Sequence, residues 1–322
     1  MNTLLNLGIR LIVAFQGLGS WLLAPMQFFS FLGTEQFFML VLPALYWCID
    51  SAIGLRVAII LMLSGSVNDL FKMALHSPRP YWISSQVKAL STETSFGVPS
   101  GHAQLAASIW GMLAACLRTR WAWLAAVLLT LLIGLSRLYL GVHFPQDVLA
   151  GWLIGFLLLW LVLRSWESVA AWARKLSLGQ QLLAAFLSSL GLLLLSLVPY
   201  LGLKMSGWQA PPLWAAYAAG AVSLDTGISI SGITFGLLAG LAWITGQGGF
   251  KTRGAWWQLV LRYLLGVVGV LVLDLGLKAV LPSGDNLPAY LLHDVQYFLI
   301  GAWMTAGAPW TFIQLKLSAR SC

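Results

Sequence analysis

The sequence predicts an all-α membrane protein whose helices cross the bilayer many times. Of its 322 residues, 59% are hydrophobic and only 9% are charged, whereas about a quarter of the residues in a soluble domain are charged. Several uncharged runs reach or exceed the roughly 20 residues that a bilayer-spanning helix needs; they are residues 11–34, 176–203, 226–250 and 295–315. These two observations exclude a soluble globular protein and indicate a polytopic transmembrane helical bundle.

Ten membrane helices are predicted, and they divide the chain into two parts. Their expected positions are about residues 11–31, 36–50, 55–75, 103–117, 121–140, 146–164, 177–201, 229–247, 257–281 and 289–312. Gly17, Gly19 and Pro25 interrupt the first of these, which could instead lie along the membrane interface. We expect a six-helix core over residues 1–170 and about four additional membrane helices over residues 171–322.

The positions of the charges predict an orientation in the membrane. The formal net charge of +8 comes mostly from Lys and Arg in short connections between helices. Membrane proteins retain such residues on the cytoplasmic side, so the charge does not indicate a nucleic-acid partner. Residues 208–224 could form an eleventh span or a re-entrant piece. If they do not cross the membrane, the basic connections all fall on one side of it. Residues 77–101 and 141–145 then face the periplasm or exterior. With no evident signal peptide, we expect a bacterial inner-membrane protein.

The second half of the chain carries packing signals. Gly232, Gly236 and Gly240 recur every fourth residue, which predicts a smooth helix face for close contact with another helix. Asp274 and Lys278 lie four residues apart on one predicted helix and should neutralise each other. The role of these helices stays open between scaffolding, a lateral gate and a dimer contact, so a homo-oligomer is one possibility.

Three short segments in the first half hold the residues that suggest chemistry. The first motif, residues 72–80, begins with Lys72 and ends with Arg79-Pro80; the second, residues 99–102, reads Pro-Ser-Gly-His; the third, residues 136–147, carries Arg137, His143 and Asp147. Lys72, Arg79 and Arg137 are cations at helix ends with no acidic residue in their own segments except Asp147. Because such charges are costly without a partner, and because arginine suits phosphate oxygens, a bound phosphate is expected.

The second and third motifs supply the other parts of a phosphate site. Ser100 and Gly101 stand at the start of a helix whose free backbone N–H groups could hold an anion, although a plain helix cap is the favoured interpretation of that segment taken alone. Asp147 can reach back to His143 and make one ring nitrogen a better nucleophile or base. The nearby cations argue against a metal, and no metal or other cofactor is expected. The residues alone leave His102 and His143 interchangeable as nucleophile and general acid.

The three motifs resemble the signature of the type 2 phosphatidic acid phosphatase superfamily. That signature is Lys, six residues, Arg-Pro; then Pro-Ser-Gly-His; then Ser-Arg, five residues, His, three residues, Asp, and this sequence matches it without a departure over roughly residues 35–165. The resemblance implies that His143 is the nucleophile, that Asp147 orients it and that His102 is the general acid. It further implies that the phosphate is held by a set of five residues, Lys72, Arg79, Ser100, Gly101 and Arg137.

The sequence therefore predicts a metal-independent membrane phosphatase that hydrolyses a lipid phosphate through a phosphohistidine. Phosphatidic acid, phosphatidylglycerol phosphate, a sphingoid phosphate and a polyprenyl phosphate or diphosphate are the expected substrate types, presented by the surrounding bilayer. The alternatives are a lipid phosphotransferase, a phosphatase for soluble sugar phosphates and, outside enzymes, an anion transporter.

Three residues near the first motif receive structural interpretations. His76 is expected to be a satisfied polar residue or a minor contact. Tyr81 and Trp82 are interpreted as interfacial anchors, with a substrate entrance as the less favoured alternative.

Overall fold

The computed structural model describes residues 3–282 and 284–321, and regular structure in that part of the chain is helical. The helices are α1 Thr3–Gln16, α2 Leu23–Phe31, α3 Glu35–Ala44, α4 Ser51–Leu75, α5 Pro80–Ile83, α6 Gly101–Leu105, α7 Gly111–Leu117, α8 Arg120–Tyr139, α9 Pro145–Ala173, α10 Leu178–Met205, α11 Ala215–Ala218, α12 Asp225–Gly246, α13 Trp256–Lys278, α14 Leu287–Ala302 and α15 Ala308–Gln314. The predicted all-α membrane fold is confirmed.

Six of the helices in the described residues are long and apolar enough to cross a bilayer. They are the helices of Ser51–Ile83, Arg120–Tyr139, Pro145–Ala173, Leu178–Met205, Asp225–Gly246 and Trp256–Lys278. Each coincides with a predicted span. The chain is an integral membrane protein.

The other four predicted spans are shorter or interrupted in the structure. The first is bent by 91° between α1 and the helical segment Ser20–Phe31, at the Gly17 and Gly19 interruption. The remaining three contain π-helical turns at Leu45–Ile49, Ala106–Trp110 and Trp303–Gly307, which directly continue the α-helical segments beside them. Residues 208–224 contain only the four-residue helix α11, so an eleventh helical span is not formed there.

Two compact units make up the structure. The first comprises Met1–Phe38, Leu63–Leu163 and Ser196–Leu224, and the second comprises Met39–Met62, Arg164–Leu195 and Asp225–Cys322. The units interleave along the chain, because residues from the predicted C-terminal part belong to the first and residues from the predicted core belong to the second. The predicted division of the chain into residues 1–170 and 171–322 stays a prediction.

Two glycines of α9 organise the first unit around α6. A Cβ added at Gly151 would lie 2.6 Å from the Ser100 carbonyl oxygen, and one at Gly155 would lie 2.5 Å from that of Gln104. Only hydrogen at these positions lets the two helix backbones approach so closely. The second motif, at the start of α6, is thereby held against the helix that begins with the end of the third motif.

The second unit is built on the glycine face predicted from the sequence. Gly232, Gly236 and Gly240 lie against the backbone and side chains of α14 and the π-helical turn that follows it. The Asp274 carboxylate and the Lys278 ammonium are 2.8 Å apart. Both packing predictions for this half of the chain are confirmed.

Gly236→Ala should destabilise the protein by about 1–3 kcal/mol, the usual cost of overpacking a close contact. A Cβ at this position would lie 2.6 Å from the Ala302 backbone nitrogen. The matched control is Gly276→Ala in α13, where a Cβ meets nothing within 4 Å and alanine favours the helix. Thermal unfolding in detergent measures both. Equal melting temperatures for the two variants would contradict the close α12–α14 contact.

Candidate active site

The structure brings the three motifs together in the first unit. Their site residues lie at the ends of helices: Lys72 in the last turn of α4, Arg79 directly before α5, Ser100, Gly101 and His102 at the start of α6, Arg137 in the last turn of α8, His143 in the connection after α8 and Asp147 in the first turn of α9. Arg79, Ser100, Arg137, His143 and Asp147 are at most 1% exposed. Such a concentration of buried ionisable groups points to a functional site.

The His143 ring is held between an arginine and a carboxylate. Arg79 Nη1 lies 3.0 Å from His143 Nε2, and Asp147 Oδ2 lies 3.4 Å from His143 Nδ1. A guanidinium can only donate hydrogen bonds, so Nε2 carries the lone pair. The proton then resides on Nδ1 and faces Asp147. The nitrogen beside Arg79 is thus the one that keeps a lone pair.

Asp147 is fixed by the backbone on both sides of the site. Its Oδ2 accepts a hydrogen bond from the Phe144 N–H at 2.8 Å. Its own carbonyl accepts one from the Ser100 N–H at 2.9 Å. The first bond follows from the helix start at Pro145, because the free N–H groups at a helix N-terminus need acceptors such as a side-chain carboxylate. Asp147 therefore couples the histidine of the third motif to the second motif.

The pKa of His143 lies well below its usual value of 6.5. Burial is the main cause, because it disfavours the charged ring, and the positive charges of Arg79, Arg137 and Lys72 act in the same direction. The imidazole is therefore neutral at physiological pH, and its Nε2 keeps a lone pair that accepts from Arg79 in this structure.

Lys72 and Arg79 share acceptors in the connection between the first and second motifs. Lys72 Nζ donates to Ser95 Oγ at 2.7 Å and to the Phe96 carbonyl at 2.8 Å. Arg79 donates to the Ser95 and Phe96 carbonyls at 2.7 Å and 3.1 Å and to that of Val142 at 3.0 Å. Backbone carbonyls thus orient both cations.

Arg137 has an acidic partner that the sequence analysis missed. It forms an ion pair with Glu93, and it also donates to Ser30 Oγ. A second Glu93 oxygen lies 4.0 Å from Arg79. Burial alone would raise the pKa of Glu93, but the positive charge of Arg137, with smaller contributions from His102, Arg79 and Lys72, lowers it to about 2. Glu93 is therefore a carboxylate among the cations predicted to hold phosphate.

Three buried polar atoms of the predicted site residues have no hydrogen-bond partner among the described residues. They are Ser100 Oγ, Arg137 Nε and Asp147 Oδ1. Leaving a buried polar atom unpaired costs about 1–3 kcal/mol. Two of the three are donors, which matches the needs of an incoming anion.

Gly101 and His102 complete the second motif. A Cβ on Gly101 would lie 3.1 Å from Asn68 Oδ1, so its backbone sits tightly against α4. Asn68 Nδ2 also donates to Gln104 Oε1 at 2.9 Å. His102 lies close enough to Arg137, Glu93 and His143 to interact with their charges. Both histidines thus belong to one cluster.

Sequence reasoning could have found Glu93, but not Asn68 and Gln104. Glu93 is the one acidic residue in the sequence between Ser77 and Gly101, the connection already predicted to carry two motifs. Asn68 and Gln104 gave no comparable signal, because polar residues inside helices carry no sequence mark of which helix they face.

The interpretation of Trp82 as an interfacial anchor was wrong. Trp82 is 2% exposed and stacks on Trp214 and Tyr217 instead of anchoring at the interface. The membrane-interface preference of tryptophan was overridden by packing within an aromatic cluster. His76 lies 4.9 Å from the Trp208 ring, which fits the alternative of a minor contact, and its Nδ1 has no hydrogen-bond partner in the described part of the chain. Tyr81 Oη donates to the Glu93 carbonyl at 3.1 Å.

The described residues contain no group of three or more His, Cys, Asp or Glu side chains able to hold a metal ion. That the site works without a metal stays a prediction, which rests on its excess of cations.

Comparison with known families identifies the part of the chain that carries this site. The sequence model of the PAP2 superfamily matches residues 53–169. Those residues include all three motifs. The chain carries a PAP2 superfamily domain. The resemblance recognised from the motifs is confirmed.

A second match lies in the C-terminal half. Residues 228–320 match the family described as "PAP2 superfamily phosphatase, transmembrane extension". The sequence analysis found no resemblance for these helices, because their glycine and apolar patterns are common to many membrane proteins.

Curated relatives share this domain over part of their length. Human "Glucose-6-phosphatase 3" is 31% identical over 223 residues, which cover 60% of this chain and 64% of the relative. Human "Sphingosine-1-phosphate phosphatase 2" is 35% identical over 151 residues, covering 44% of this chain and 37% of the relative. The chain thus spans less than two thirds of the length of either.

Among solved structures, the "first transmembrane PAP2 type phosphatidylglycerolphosphate phosphatase from Bacillus subtilis" is similar. It is 25% identical, has a TM-score of 0.42 and covers 50% of this chain and 86% of its own.

Glu93→Gln should strengthen the binding of inorganic phosphate by about tenfold, or roughly 1.4 kcal/mol. The substitution removes a negative charge from the anion pocket and frees Arg137 to contact phosphate. Isothermal titration calorimetry on the detergent-solubilised protein measures the affinity.

Glu167→Gln is the matched control for this charge change, because Glu167 is 79% exposed and pairs with Arg56 outside the pocket. It should leave phosphate affinity unchanged. Weaker phosphate binding in Glu93→Gln would show instead that the carboxylate is needed to hold Arg137 in place.

Proposed function

We propose that this protein is a membrane phosphatase that hydrolyses a lipid phosphate ester through a phosphohistidine on His143. The observation that carries the proposal is the position of the His143 ring, with Asp147 at Nδ1 and Arg79 at Nε2. A neutral, oriented imidazole whose lone pair points at arginines is suited to attack a phosphate that those arginines bind.

In the proposed first step, the Nε2 lone pair of His143 forms a bond to phosphorus as the bond from phosphorus to the leaving oxygen breaks. His102, in its protonated form, gives its proton to that oxygen. The Nδ1 proton stays hydrogen-bonded to Asp147, which stabilises the positive charge that develops on the ring. Lys72, Arg79 and Arg137 stabilise the negative charge on the remaining phosphate oxygens.

In the second step, water attacks phosphorus and the bond between phosphorus and Nε2 breaks. His102, now neutral, takes a proton from that water. Inorganic phosphate leaves and His143 regains its lone pair. The chemistry needs no group beyond these side chains and water.

Glu93 has a defined part in this cycle. It neutralises Arg137 before substrate binds, which lowers the cost of burying several cations together. The phosphate of the substrate then replaces the carboxylate as the partner of Arg137. The two unpaired donors, Ser100 Oγ and Arg137 Nε, gain phosphate oxygens as acceptors.

A lipid phosphate is the substrate class that the surroundings favour. The site lies at the ends of helices in a chain with six candidate membrane spans, so a phosphate carried at the bilayer surface can reach it without leaving the membrane. The similarity to a protein named for sphingosine-1-phosphate supports this class. The expected headgroups are those of phosphatidic acid, phosphatidylglycerol phosphate, sphingoid phosphates and polyprenyl phosphates or diphosphates.

A sugar phosphate is the second candidate substrate. It is supported by the 31% identity to human glucose-6-phosphatase 3, over the longer of the two curated alignments described above. Release of phosphate from a short-chain phosphatidic acid and from glucose-6-phosphate, compared at equal concentration, separates the two. The same assay with a second lipid as acceptor detects a phosphotransferase, and anion flux in liposomes without hydrolysis would indicate a transporter.

The remaining proposals concern location and partners. The bilayer and its lipid substrate are the proposed partners, and a bacterial inner membrane with the site on its outer face is the proposed location. The excess of basic residues in the connections on the other side supports this orientation.

His143→Ala should abolish turnover and the acid-labile phosphoryl adduct, because no other group in the site presents a lone pair fixed by a carboxylate. Asp147→Asn should lower the rate of adduct formation by about 100-fold or more, since a general base or orienting group contributes about that much. Acid-quenched protein treated with radiolabelled substrate shows the adduct.

The matched control is His293→Ala, which replaces a histidine of α14 in the second unit. It should retain activity and adduct. Adduct formation in His143→Ala, together with loss of adduct and turnover in His102→Ala, would reverse the assigned roles.

Adduct formation at saturating substrate should not fall between pH 7.5 and 6.0, because His143 stays neutral while protonation of the general acid His102 increases. The lowered pKa of His143 favours the neutral ring, so the nucleophile is retained as the pH falls and is lost only well below 6.5. A histidine with a pKa of about 6.5 would instead lose about three quarters of its neutral form at pH 6.0. Rapid-quench single-turnover rates test this. A loss of rate on acidification with a midpoint near pH 6.5 would contradict it.

A further inference from the structure

A cavity of about 420 Å³ in the second unit is lined by four basic residues. They are Lys251, Arg253, Arg262 and Lys316; the other polar side chains of its wall come from Gln258 and Ser318. Among the residues that the structure describes, no acidic side chain lines this cavity. Four positive charges facing one space repel one another, and an anion inside the cavity would relieve that repulsion.

Arg262 forms the buried wall of the cavity. It is 1% exposed and donates to backbone carbonyls: those of Leu317 at 2.9 Å, Thr252 at 2.8 Å and Arg253 at 3.2 Å. Within the described residues no carboxylate lies within ion-pair distance of it. A buried arginine whose charge no carboxylate neutralises is costly, so the fold maintains this charge at the expense of stability.

The same hydrogen bonds shape the cavity. They join the connection after α12 to the chain after α15, and Lys251 N–H adds a bond to the Ala319 carbonyl at 2.9 Å. Ser318 Oγ donates to the Lys251 carbonyl at 2.8 Å. These carbonyls accept from Arg262 and Ser318. The exposed side chains of Lys251, Arg253 and Lys316 can therefore contact a ligand.

Basic residues at helix ends are ordinary in membrane proteins, because the positive-inside rule places them there. That rule explains neither a cavity nor a buried arginine held by carbonyls. The cavity also lies at the start of α13, where Gln258 of the first helical turn lines it, and the positive end of a helix dipole favours an anion there.

The surroundings indicate that the anion belongs to a lipid. Only 11% of the most apolar stretch of α13 is buried within the protein, so the helix presents its sides to the bilayer. Trp256 and Trp257, 77% and 47% exposed, stand at its first positions, where amphipathic rings sit at the level of the headgroups. A phosphate carried by a neighbouring lipid therefore lies at the height of the cavity.

We propose that Lys251, Arg253 and Lys316, arranged around Arg262, form a binding site for the phosphate headgroup of an anionic phospholipid. The site is separate from the motifs of the PAP2 domain, and it holds a phosphodiester lipid that is not hydrolysed. Basic pockets beside membrane helices are suited to such headgroups. The proposal does not depend on the reaction proposed for His143.

Native mass spectrometry of the full chain in detergent, titrated with phosphatidylglycerol, tests the proposal. The triple variant K251Q/R253Q/K316Q should bind the first phosphatidylglycerol at least about fivefold more weakly than the unchanged protein, because three charge contacts are lost. The replaced side chains are exposed, so the fold should be retained, and thermal unfolding checks this.

Two controls make the result specific. R118Q/R120Q/R174Q removes the same net charge from exposed residues outside the cavity and should bind phosphatidylglycerol as the unchanged protein does. Arg137→Gln, which damages the proposed catalytic pocket, should also bind it unchanged. Loss of binding in Arg137→Gln, or equal binding in the cavity triple variant, would overturn the proposal.

Inorganic phosphate distinguishes the source of the anion. We expect 10 mM inorganic phosphate to compete only weakly with phosphatidylglycerol. If phosphate binds the cavity and phosphatidylglycerol binds no better than zwitterionic phosphatidylcholine, the lipid assignment is wrong.

Discussion

The structure of the first unit depends on the cost of burying several cations together. Lys72, Arg79 and Arg137 are at most 8% exposed, and each must find acceptors or a counter-charge. Carbonyls of the connection between the first two motifs accept from two of them, and Glu93 neutralises the third. The connection is therefore folded onto the cations, and its path follows from their charge.

The same constraint explains why the site is suited to phosphate. Glu93 satisfies Arg137 only in part, because Arg137 Nε and the hydroxyl of Ser100 lack partners in the described chain. A phosphate dianion offers more acceptor oxygens than one carboxylate does. The carboxylate is thus a weaker occupant of the place that a substrate would take, and His143, with its lone pair directed toward Arg79, stands beside that place.

Much of the fold and site could be predicted from the sequence, for identifiable reasons. The long apolar helices and the glycine face of α12 are periodic patterns, and the motif residues are rare charged groups in an apolar chain. The π-helical turns were not predictable, since no residue type marks them. Glu93 was missed because its partner, Arg137, is 44 residues away, and the burial of Trp82 was missed because tryptophan suits both an interface and an aromatic cluster.

A structure determined with inorganic phosphate bound tests the central claim most directly. The account predicts phosphorus within about 3–3.5 Å of His143 Nε2, the distance of a near-attack geometry, with Arg79 and Arg137 on its oxygens and the Glu93 carboxylate moved off Arg137. Phosphate bound away from Nε2, or held beside His102 with Glu93 still paired to Arg137, would contradict it.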